Sequence, residues 1–194
     1  MPYVFRFLVN NVLEFSAPLE TVRCSATTNG RRCGRIVCIG LPFCWQHLEL
    51  RKHLKIMPSP INKMGLFAFN RSLQNDAIIF RRGVEICLYQ GLLLTRDTLN
   101  EWYGEYTAPY AMVYNTDPEA VTDGAEWRGV GTIANHSNRP NARFHEEERN
   151  NSFYLVCRAL KNIRNRNEIT INYGNDYDFN EPTSHTTRYV PNRR

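Results

Sequence analysis

Short apolar runs separated by turn residues dominate the chain after residue 60. These runs predict strands at Leu66 to Phe69, Ala77 to Phe80, Glu85 to Tyr89, Ala111 to Tyr114, Ala142 to His145, Phe153 to Arg158 and Glu168 to Ile171. One helix is predicted from Asp97 to Tyr103, with Asp97 as its N-cap. Many short strands with few short helices predict a mainly β fold of small twisted sheets rather than a parallel βαβ array.

The N-terminal part of the chain has a different pattern. Residues 1 to about 20 alternate loosely between apolar and polar, which is typical of an edge strand or a short helix. The prolines of Met57-Pro-Ser-Pro60 push the residues before them out of the helical region, so a module boundary is predicted there. We therefore expect three parts: an N-terminal segment 1–57, a main domain 58–180 and a C-terminal tail 181–194.

Composition and charge narrow the class of protein. The chain has 194 residues, of which 42% are hydrophobic and 22% charged, as in a globular domain with a small appended module. An excess of 24 Lys and Arg over 19 Asp and Glu gives a net charge of +5, which permits contact with nucleic acid without requiring it. No apolar stretch suits a signal peptide or a membrane span, so an intracellular protein without a membrane partner is expected.

The cysteines indicate a metal site. Four of the six lie between Cys24 and Cys44, a distribution that favours metal binding over disulfides. Cys24, Cys33, Cys44 and His47 can supply the three thiolates and one imidazole of a tetrahedral Zn²⁺ site, with Cys44-x-x-His47 as its tight half. Cys38 remains a competing ligand. Residues 24–47 are thus predicted to form a small zinc module, which resembles short Cys-Cys-Cys-His modules that precede other domains.

Four arginines accompany this module, and two interpretations of them stay open. They could bind phosphate groups and make the module a nucleic-acid contact, or they could form a solvated face; the four are Arg23, Arg31, Arg32 and Arg35.

The main domain carries an ordered series of motifs. They are Lys63-Met64-Gly65-Leu66-Phe67-Ala68, Tyr89-Gln90-Gly91, Asn135-His136-Ser137 with Pro140-Asn141-Ala142, and Glu168-Ile-Thr-Ile-Asn-Tyr173-Gly174. Together they resemble the SET domain of protein lysine methyltransferases, from about Lys63 to Tyr177. The short form with Tyr173-Gly-Asn-Asp-Tyr177 is most similar to the minimal viral SET proteins.

The resemblance implies a fold and a cofactor site. The fold consists of small β-sheets in which the chain tail threads beneath a loop, giving a knot-like core that brings the Asn135 and Tyr173 segments together. S-adenosylmethionine and the substrate then enter from opposite faces. The residues that match the family's cofactor site are Lys63, Met64, Gly65, Tyr110, Asn135 and His136. Gly65 lacks a side chain, so its backbone can approach a ligand closely, whereas Lys63 replaces a glycine that is frequent in the family.

The resemblance also implies the chemistry. Tyr173 would be the phenol at the site of methyl transfer, and Tyr177 would line the channel for the substrate lysine; both are assigned as catalytic. Methyl transfer depends mainly on positioning, so intact site residues favour an enzyme. We therefore expect an S-adenosylmethionine-dependent protein-lysine methyltransferase that acts on a basic protein tail such as that of a histone, in the nucleus. The alternative is a catalytically weak SET scaffold that serves as a zinc-containing nucleic-acid or chromatin binding module.

Overall fold

The computed structural model describes residues 21–38, 40–103, 108–125, 127–175 and 177, and the backbone of four two-residue strands within residues 1–20. For Cys38 it describes the backbone but not the side chain. Its strands are β1 (Tyr3–Val4), β2 (Leu8–Val9), β3 (Val12–Leu13), β4 (Pro18–Leu19), β5 (Thr21–Arg23), β6 (Thr27–Thr28), β7 (Arg31–Arg32), β8 (Ile36–Cys38), β9 (Leu54–Pro58), β10 (Met64–Ala68), β11 (Ile78–Phe80), β12 (Glu85–Tyr89), β13 (Leu92–Thr95), β14 (Ala111–Val113), β15 (Ala120–Asp123), β16 (Asn135–His136), β17 (Ala142–Arg149), β18 (Ser152–Ala159), β19 (Ile163–Arg164) and β20 (Glu168–Ile171). Its helices are α1 (Trp45–Lys52), α2 (Arg96–Tyr103) and a 3-10 helix, Val130–Ile133.

Small sheets make up most of the described structure, which confirms the predicted fold class. The largest has the order β16-β20-β10-β9, and two three-stranded sheets have the orders β12-β18-β17 and β13-β15-β14. The other sheets are pairs of strands. Neither of the described α-helices has the length and apolar character needed to cross a membrane.

The bounds of a strand were predicted correctly where turn residues directly follow the apolar run. The observed bounds of β12 and β20 equal the predicted ones, whereas β17 and β18 extend beyond them and pair over eight residues each. Their hairpin turns at Asn150 and Asn151, both with positive φ, a conformation that asparagine tolerates. Within residues 1–20 the described elements are short strands, and the side chains there lie outside the described residues.

The helices required two corrections. Asp97 is not the N-cap of α2, because the Thr95 hydroxyl accepts a hydrogen bond from the backbone N–H of Thr98 at 3.2 Å and so caps the helix. Helix α1 was not predicted at all. Its buried side chains are Leu48 and Glu49, so it has too few apolar positions to show a helical period.

The N-terminal part is joined to the main core rather than separate from it. All five residues of β9 pair with β10, so the boundary predicted at residue 57 falls inside a strand. Leu48 of α1 and Leu54 of β9 are each 1% exposed and pack in the same cluster as Leu66 and Ile169. Folding of the cysteine-rich segment and of the main domain is therefore linked through one hydrophobic core.

Two segments far apart in sequence cross at the centre of the largest sheet. Strand β16 runs parallel to β20, with Asn135 opposite Thr170 and His136 opposite Ile171. The Asn141 side chain fixes this crossing, since its Nδ2 donates to the Glu168 carbonyl at 2.7 Å and its Oδ1 accepts from the Thr170 N–H at 2.9 Å. This parallel contact brings the Asn135 and Tyr173 segments side by side, as the resemblance implied.

A bidentate ion pair also links α1 to the main domain. Arg71 donates through Nε and Nη2 to the two carboxylate oxygens of Glu49, at 2.5 and 2.8 Å. Glu49 is buried and Arg71 is largely exposed. Hydrogen bonds from Arg71 outweigh the effect of burial and lower the pKa of Glu49.

Replacing Glu49 with Gln should therefore lower the free energy of unfolding by about 1 to 3 kcal/mol near pH 7, since a charge-assisted pair is lost. Because the pKa of Glu49 is lower in the folded state, its contribution is present above the unfolded-state pKa and is lost as the pH falls. The difference between wild type and Glu49→Gln should thus shrink in acid. Urea unfolding at several pH values measures this, with the exposed Glu101→Gln as control; an unchanged difference at low pH would contradict it.

Candidate active site and metal centre

The four predicted metal ligands converge. The ligand atoms of Cys24, Cys33, Cys44 and His47 all lie within 4.8 Å of one another. His47 Nδ1 is 3.5 Å from the Cys24 sulfur and 3.4 Å from the Cys44 sulfur. Three thiols and one imidazole are a donor set that fits Zn²⁺. The competing ligand Cys38 has a side chain outside the described residues.

Local structure explains how the ligands meet. Asn29 and Gly30 both have positive φ and form the two-residue turn of the β6–β7 hairpin, which returns the chain to Cys33. Cys44 is the N-cap residue of α1 and His47 follows in its first turn. The start of α1 therefore supplies two of the four ligands, Cys44 and His47.

The electrostatics at Cys44 favour a thiolate. Burial would raise its pKa, but hydrogen bonds from the His47 backbone, the His47 side chain and the Gln46 backbone outweigh this and lower the pKa to about 6. The described cysteines are free thiols, as expected for a metal site rather than a disulfide framework: Cys24, Cys33, Cys44, Cys87 and Cys157.

The predicted cofactor segment lies at the start of β10. The side chains of Lys63 and Met64 are exposed, whereas Gly65 is buried. A Cβ on Gly65 would lie 2.2 Å from Oε1 of Glu168 and 3.0 Å from Nδ2 of Asn135. The space that a side chain at Gly65 would occupy is thus filled by two polar side chains of the protein, and the close approach of the Gly65 backbone to a ligand stays a prediction.

Asn135 and His136 enter the site from β16. Asn135 is 6% exposed, and its Nδ2 donates to the Met64 carbonyl at 3.0 Å, which ties β16 to the cofactor segment. His136 accepts the backbone N–H of Tyr173 at Nδ1, at 3.1 Å, so the ring proton is assigned to Nε2, which lies 3.0 Å from Asn138 Oδ1. His136 thereby holds the backbone of Tyr173 in place.

Tyr173 is a half-buried phenol at the centre of this group. Its hydroxyl donates to the Ala134 carbonyl at 2.9 Å. Burial, with smaller contributions from Tyr177, Tyr110 and Glu168, raises the pKa of Tyr173 well above that of a free tyrosine. Its ring lies 5.4 Å from the His136 ring in an edge-on arrangement and 4.8 Å from the Tyr177 ring, between centroids.

Tyr110 approaches from the insert that contains β13 to β15. Its ring stacks on the Arg128 guanidinium at 3.9 Å, and its carbonyl accepts the Tyr89 hydroxyl at 2.6 Å. Tyr89 lies in the Tyr89-Gln90-Gly91 motif but was not predicted as a site residue. Tyr89 is 9% exposed and interacts electrostatically with Tyr173, so it belongs to the group of tyrosines that includes Tyr110 and Tyr173.

Glu168 was also missed as a site residue. Its carboxylate contacts the Asn135 amide at 2.7 Å, yet as a strand-initial glutamate it carries no signal of its own in the sequence. The predicted residues of the site therefore meet around the β16–β20 crossing, with Glu168 between Asn135 and Gly65.

An interlocked set of small sheets with a half-buried tyrosine beside an Asn-His pair defines the class to which this protein belongs. The chain is a member of the SET domain family: the family's model matches residues 63–174, more than half of the chain.

One curated relative covers part of the chain. The histone-lysine N-methyltransferase of Schizosaccharomyces pombe specific for H3 lysine-37 is 29% identical over 94 residues, which are 47% of this chain and 59% of that protein. The chain thus matches less than two thirds of that relative's length.

Solved structures share the fold. The Neurospora SET domain protein DIM-5, a histone lysine methyltransferase, aligns with a TM-score of 0.53 and 18% identity, over 68% of this chain and 57% of that chain. A chain of the Chaetomium thermophilum polycomb repressive complex 2 aligns with a TM-score of 0.55 and 19% identity, over 66% of this chain and 16% of its own.

The metal centre yields a direct prediction. Purified protein should contain one equivalent of zinc, and Cys33→Ser should lose most of it, because a tetrahedral site needs all four ligands. Cys38→Ser is the matched control and should retain the metal. Elemental analysis measures both variants. Absence of zinc from the wild type, or loss in Cys38→Ser with retention in Cys33→Ser, would contradict the ligand assignment.

Proposed function

We propose that this protein transfers methyl groups from S-adenosylmethionine to a lysine side chain of a basic protein tail such as that of a histone. Membership of the SET family supports the reaction, and the curated relative supports the substrate class. The observation that carries the proposal is the Tyr173 phenol, half-buried and kept protonated beside Asn135, His136 and the Ala134 carbonyl. A histone substrate would make the nucleus the site of action.

The residues around β16 suit the methionine part of the cofactor. Asn135 uses its amide N–H groups within the protein, which leaves its carbonyl oxygen as an acceptor for an ammonium group. The exposed Lys63 at the start of β10 offers a cation for a carboxylate. Tyr110 presents an aromatic surface on the other side. S-adenosylmethionine, when bound, supplies an activated methyl group.

Tyr173 acts by orientation rather than as a base. Because its pKa is raised, the hydroxyl stays protonated at neutral pH and is a poor proton acceptor. The substrate ammonium must therefore give up its proton to water before transfer. The Tyr173 hydroxyl and the Ala134 carbonyl then hold the neutral amine, while the adjacent Tyr177 ring restricts its position and excludes water.

The charge of the insert matches a basic substrate. The insert, residues 92–127, contains seven acidic side chains and a single basic one, Arg96, although the whole chain is basic. Among the described acids of this stretch, Asp97, Glu101, Asp117 and Glu119 are exposed. Such a surface attracts a basic peptide over several ångströms.

Tyr173→Phe tests the catalytic role. The hydroxyl acts mainly in the transition state, so turnover with core histones should fall by about 100-fold. Affinity for S-adenosylhomocysteine should stay within about twofold of wild type, since ground-state binding is spared. Tyr177→Phe is the matched control and should retain turnover with a changed ratio of mono- to di- and trimethyllysine. Radiolabelled methyl transfer, mass spectrometry and calorimetry provide the three measurements.

Two results would contradict this assignment. Wild-type turnover by Tyr173→Phe would remove Tyr173 from the chemistry. Absence of methyl transfer by the wild type to any histone, despite cofactor binding, would favour the alternative of a catalytically weak scaffold.

We also propose that the zinc module binds duplex DNA. Residues 21–52 hold six Lys and Arg against one acidic residue, and that residue, Glu49, is paired with Arg71. Outside this segment 18 basic and 18 acidic residues remain from the totals of 24 and 19, so the whole net charge of +5 resides in it. Phosphate neutralisation by such a cluster supplies most of the free energy of non-specific DNA binding.

The exposed side chains of the module support this second function. Trp45 is 56% exposed, and the Arg35 guanidinium lies 5.7 Å from the centroid of its ring. Arg31 is exposed on the β6–β7 hairpin, whereas Arg32 is engaged by the carbonyls of Arg23 and Cys24. Arg31 and Arg35 are thus the arginines to test, because their loss spares the internal contacts of Arg32.

The double variant Arg31→Gln with Arg35→Gln should weaken binding to a labelled DNA duplex by about tenfold at low salt. The slope of log affinity against log salt should fall by about two, since each lost phosphate contact contributes about 0.9. Arg81→Gln with Arg82→Gln, exposed residues of the main domain, is the control with the same loss of charge. Fluorescence anisotropy measures both. Equal losses in the two variants would overturn the assignment to the module.

A further inference from the structure

The carboxylate of Glu168 joins three segments of the chain. It accepts the Ser59 hydroxyl at 2.9 Å through Oε1 and at 2.8 Å through Oε2, and the Asn135 amide at 2.7 Å through Oε1. Glu168 begins β20, Asn135 begins β16, and Ser59 precedes the cofactor segment at β10. A buried or half-buried carboxylate that holds two neutral donors makes strong, charge-assisted hydrogen bonds.

These contacts fix the orientation of the Asn135 amide. Its Nδ2 donates both to Glu168 Oε1 and to the Met64 carbonyl, so both N–H groups are used. In the flipped orientation the amide oxygen would face these two acceptors and be repelled. The Glu168 carboxylate thus holds the amide nitrogen of Asn135 toward itself, and the amide oxygen of Asn135 points away from the carboxylate.

Gly65 allows this contact. A Cβ at this position would lie 2.2 Å from Glu168 Oε1 and 3.0 Å from Asn135 Nδ2, closer than van der Waals contact permits. The glycine therefore provides the clearance through which Glu168 reaches Asn135.

Ser59 extends the link beyond the segment that the family model matches. Its oxygen also accepts the backbone N–H of Ile61 at 2.9 Å, and its own N–H donates to the Lys63 carbonyl at 3.3 Å. The turn that leads into the cofactor segment is therefore closed by the residue that holds Glu168. Ser59 lies outside residues 63–174, which the family model matches.

We infer that Glu168 and Ser59 are positioning residues that hold the Asn135 carbonyl oxygen as the acceptor for the α-ammonium group of S-adenosylmethionine. The inference rests on the proposed function. Glu168 acts through Asn135 and also places a negative charge near the ammonium group. Ser59 acts one step further away, through the carboxylate.

Calorimetry with two ligands tests the inference without turnover: S-adenosylhomocysteine, and its analogue that lacks the α-amino group. Glu168→Gln should lower affinity for S-adenosylhomocysteine by about tenfold, because a neutral amide no longer fixes the Asn135 orientation. Affinity for the desamino analogue should be unchanged. Glu119→Gln, an exposed residue of the insert, is the control and should bind both ligands like wild type.

Ser59 provides a milder variant that keeps the inference testable if Glu168→Gln fails to fold. Ser59→Ala should weaken S-adenosylhomocysteine binding by about threefold and leave the desamino analogue unaffected. Ser59→Thr retains the hydroxyl and should restore the affinity. A structural role alone would lower both affinities together and would be visible as a lower melting temperature.

The outcomes separate this inference from the proposed function. If wild type binds S-adenosylhomocysteine and both variants bind it equally well, the positioning role is wrong and the function stands. If the variants lose both ligands equally, Glu168 shapes the site without acting through the amine, which also overturns the inference. If wild type binds neither ligand, the proposed function itself fails.

Discussion

The parallel contact between β16 and β20 is the constraint on which the rest of the structure depends. It places Asn135 opposite Thr170, and the Asn141 side chain secures the crossing from both sides of its amide. A two-residue strand has too few hydrogen bonds to hold such a pairing alone. The half-buried amide of Asn141 supplies the missing partners, and leaving those backbone groups unpaired would cost more than their net gain when paired. The site therefore requires the pairing of β16 with β20.

The zinc module at the other end of the chain is stabilised in a different way. Residues 21–52 contain few buried apolar side chains, so a bound metal ion, in place of a hydrophobic core, would stabilise the fold of this segment. Helix α1 connects the metal centre to the main domain. Its start carries Cys44 and His47, while Leu48 and Glu49 face the main domain. The metal centre and the cofactor segment are joined through α1, β9 and β10, and this explains why no linker separates them.

The sequence could predict those features whose signal is local. The strands β12 and β20 and the ligands of the metal cluster follow from apolar runs and from Cys and His spacing. Helix α1 gave no periodic signal, because its buried side chains are Leu48 and the charged Glu49. The role of Gly65 could not be predicted, since it depends on Glu168, a residue about one hundred positions away that the chain crossing brings into contact. Function at the site thus depends on partners that only the tertiary fold reveals.

The protonation state of Tyr173 connects the fold to the proposed chemistry. The crossing buries its ring against His136 and Tyr177, and this burial raises its pKa and keeps the phenol protonated. A protonated phenol can orient an amine but cannot remove its proton, so in the proposed reaction the substrate lysine must lose its proton by another route. The positive charge of a bound sulfonium would lower the lysine pKa by like-charge repulsion. In the proposed reaction the protein would therefore supply positioning, and the two reactants would together set the protonation state that methyl transfer requires.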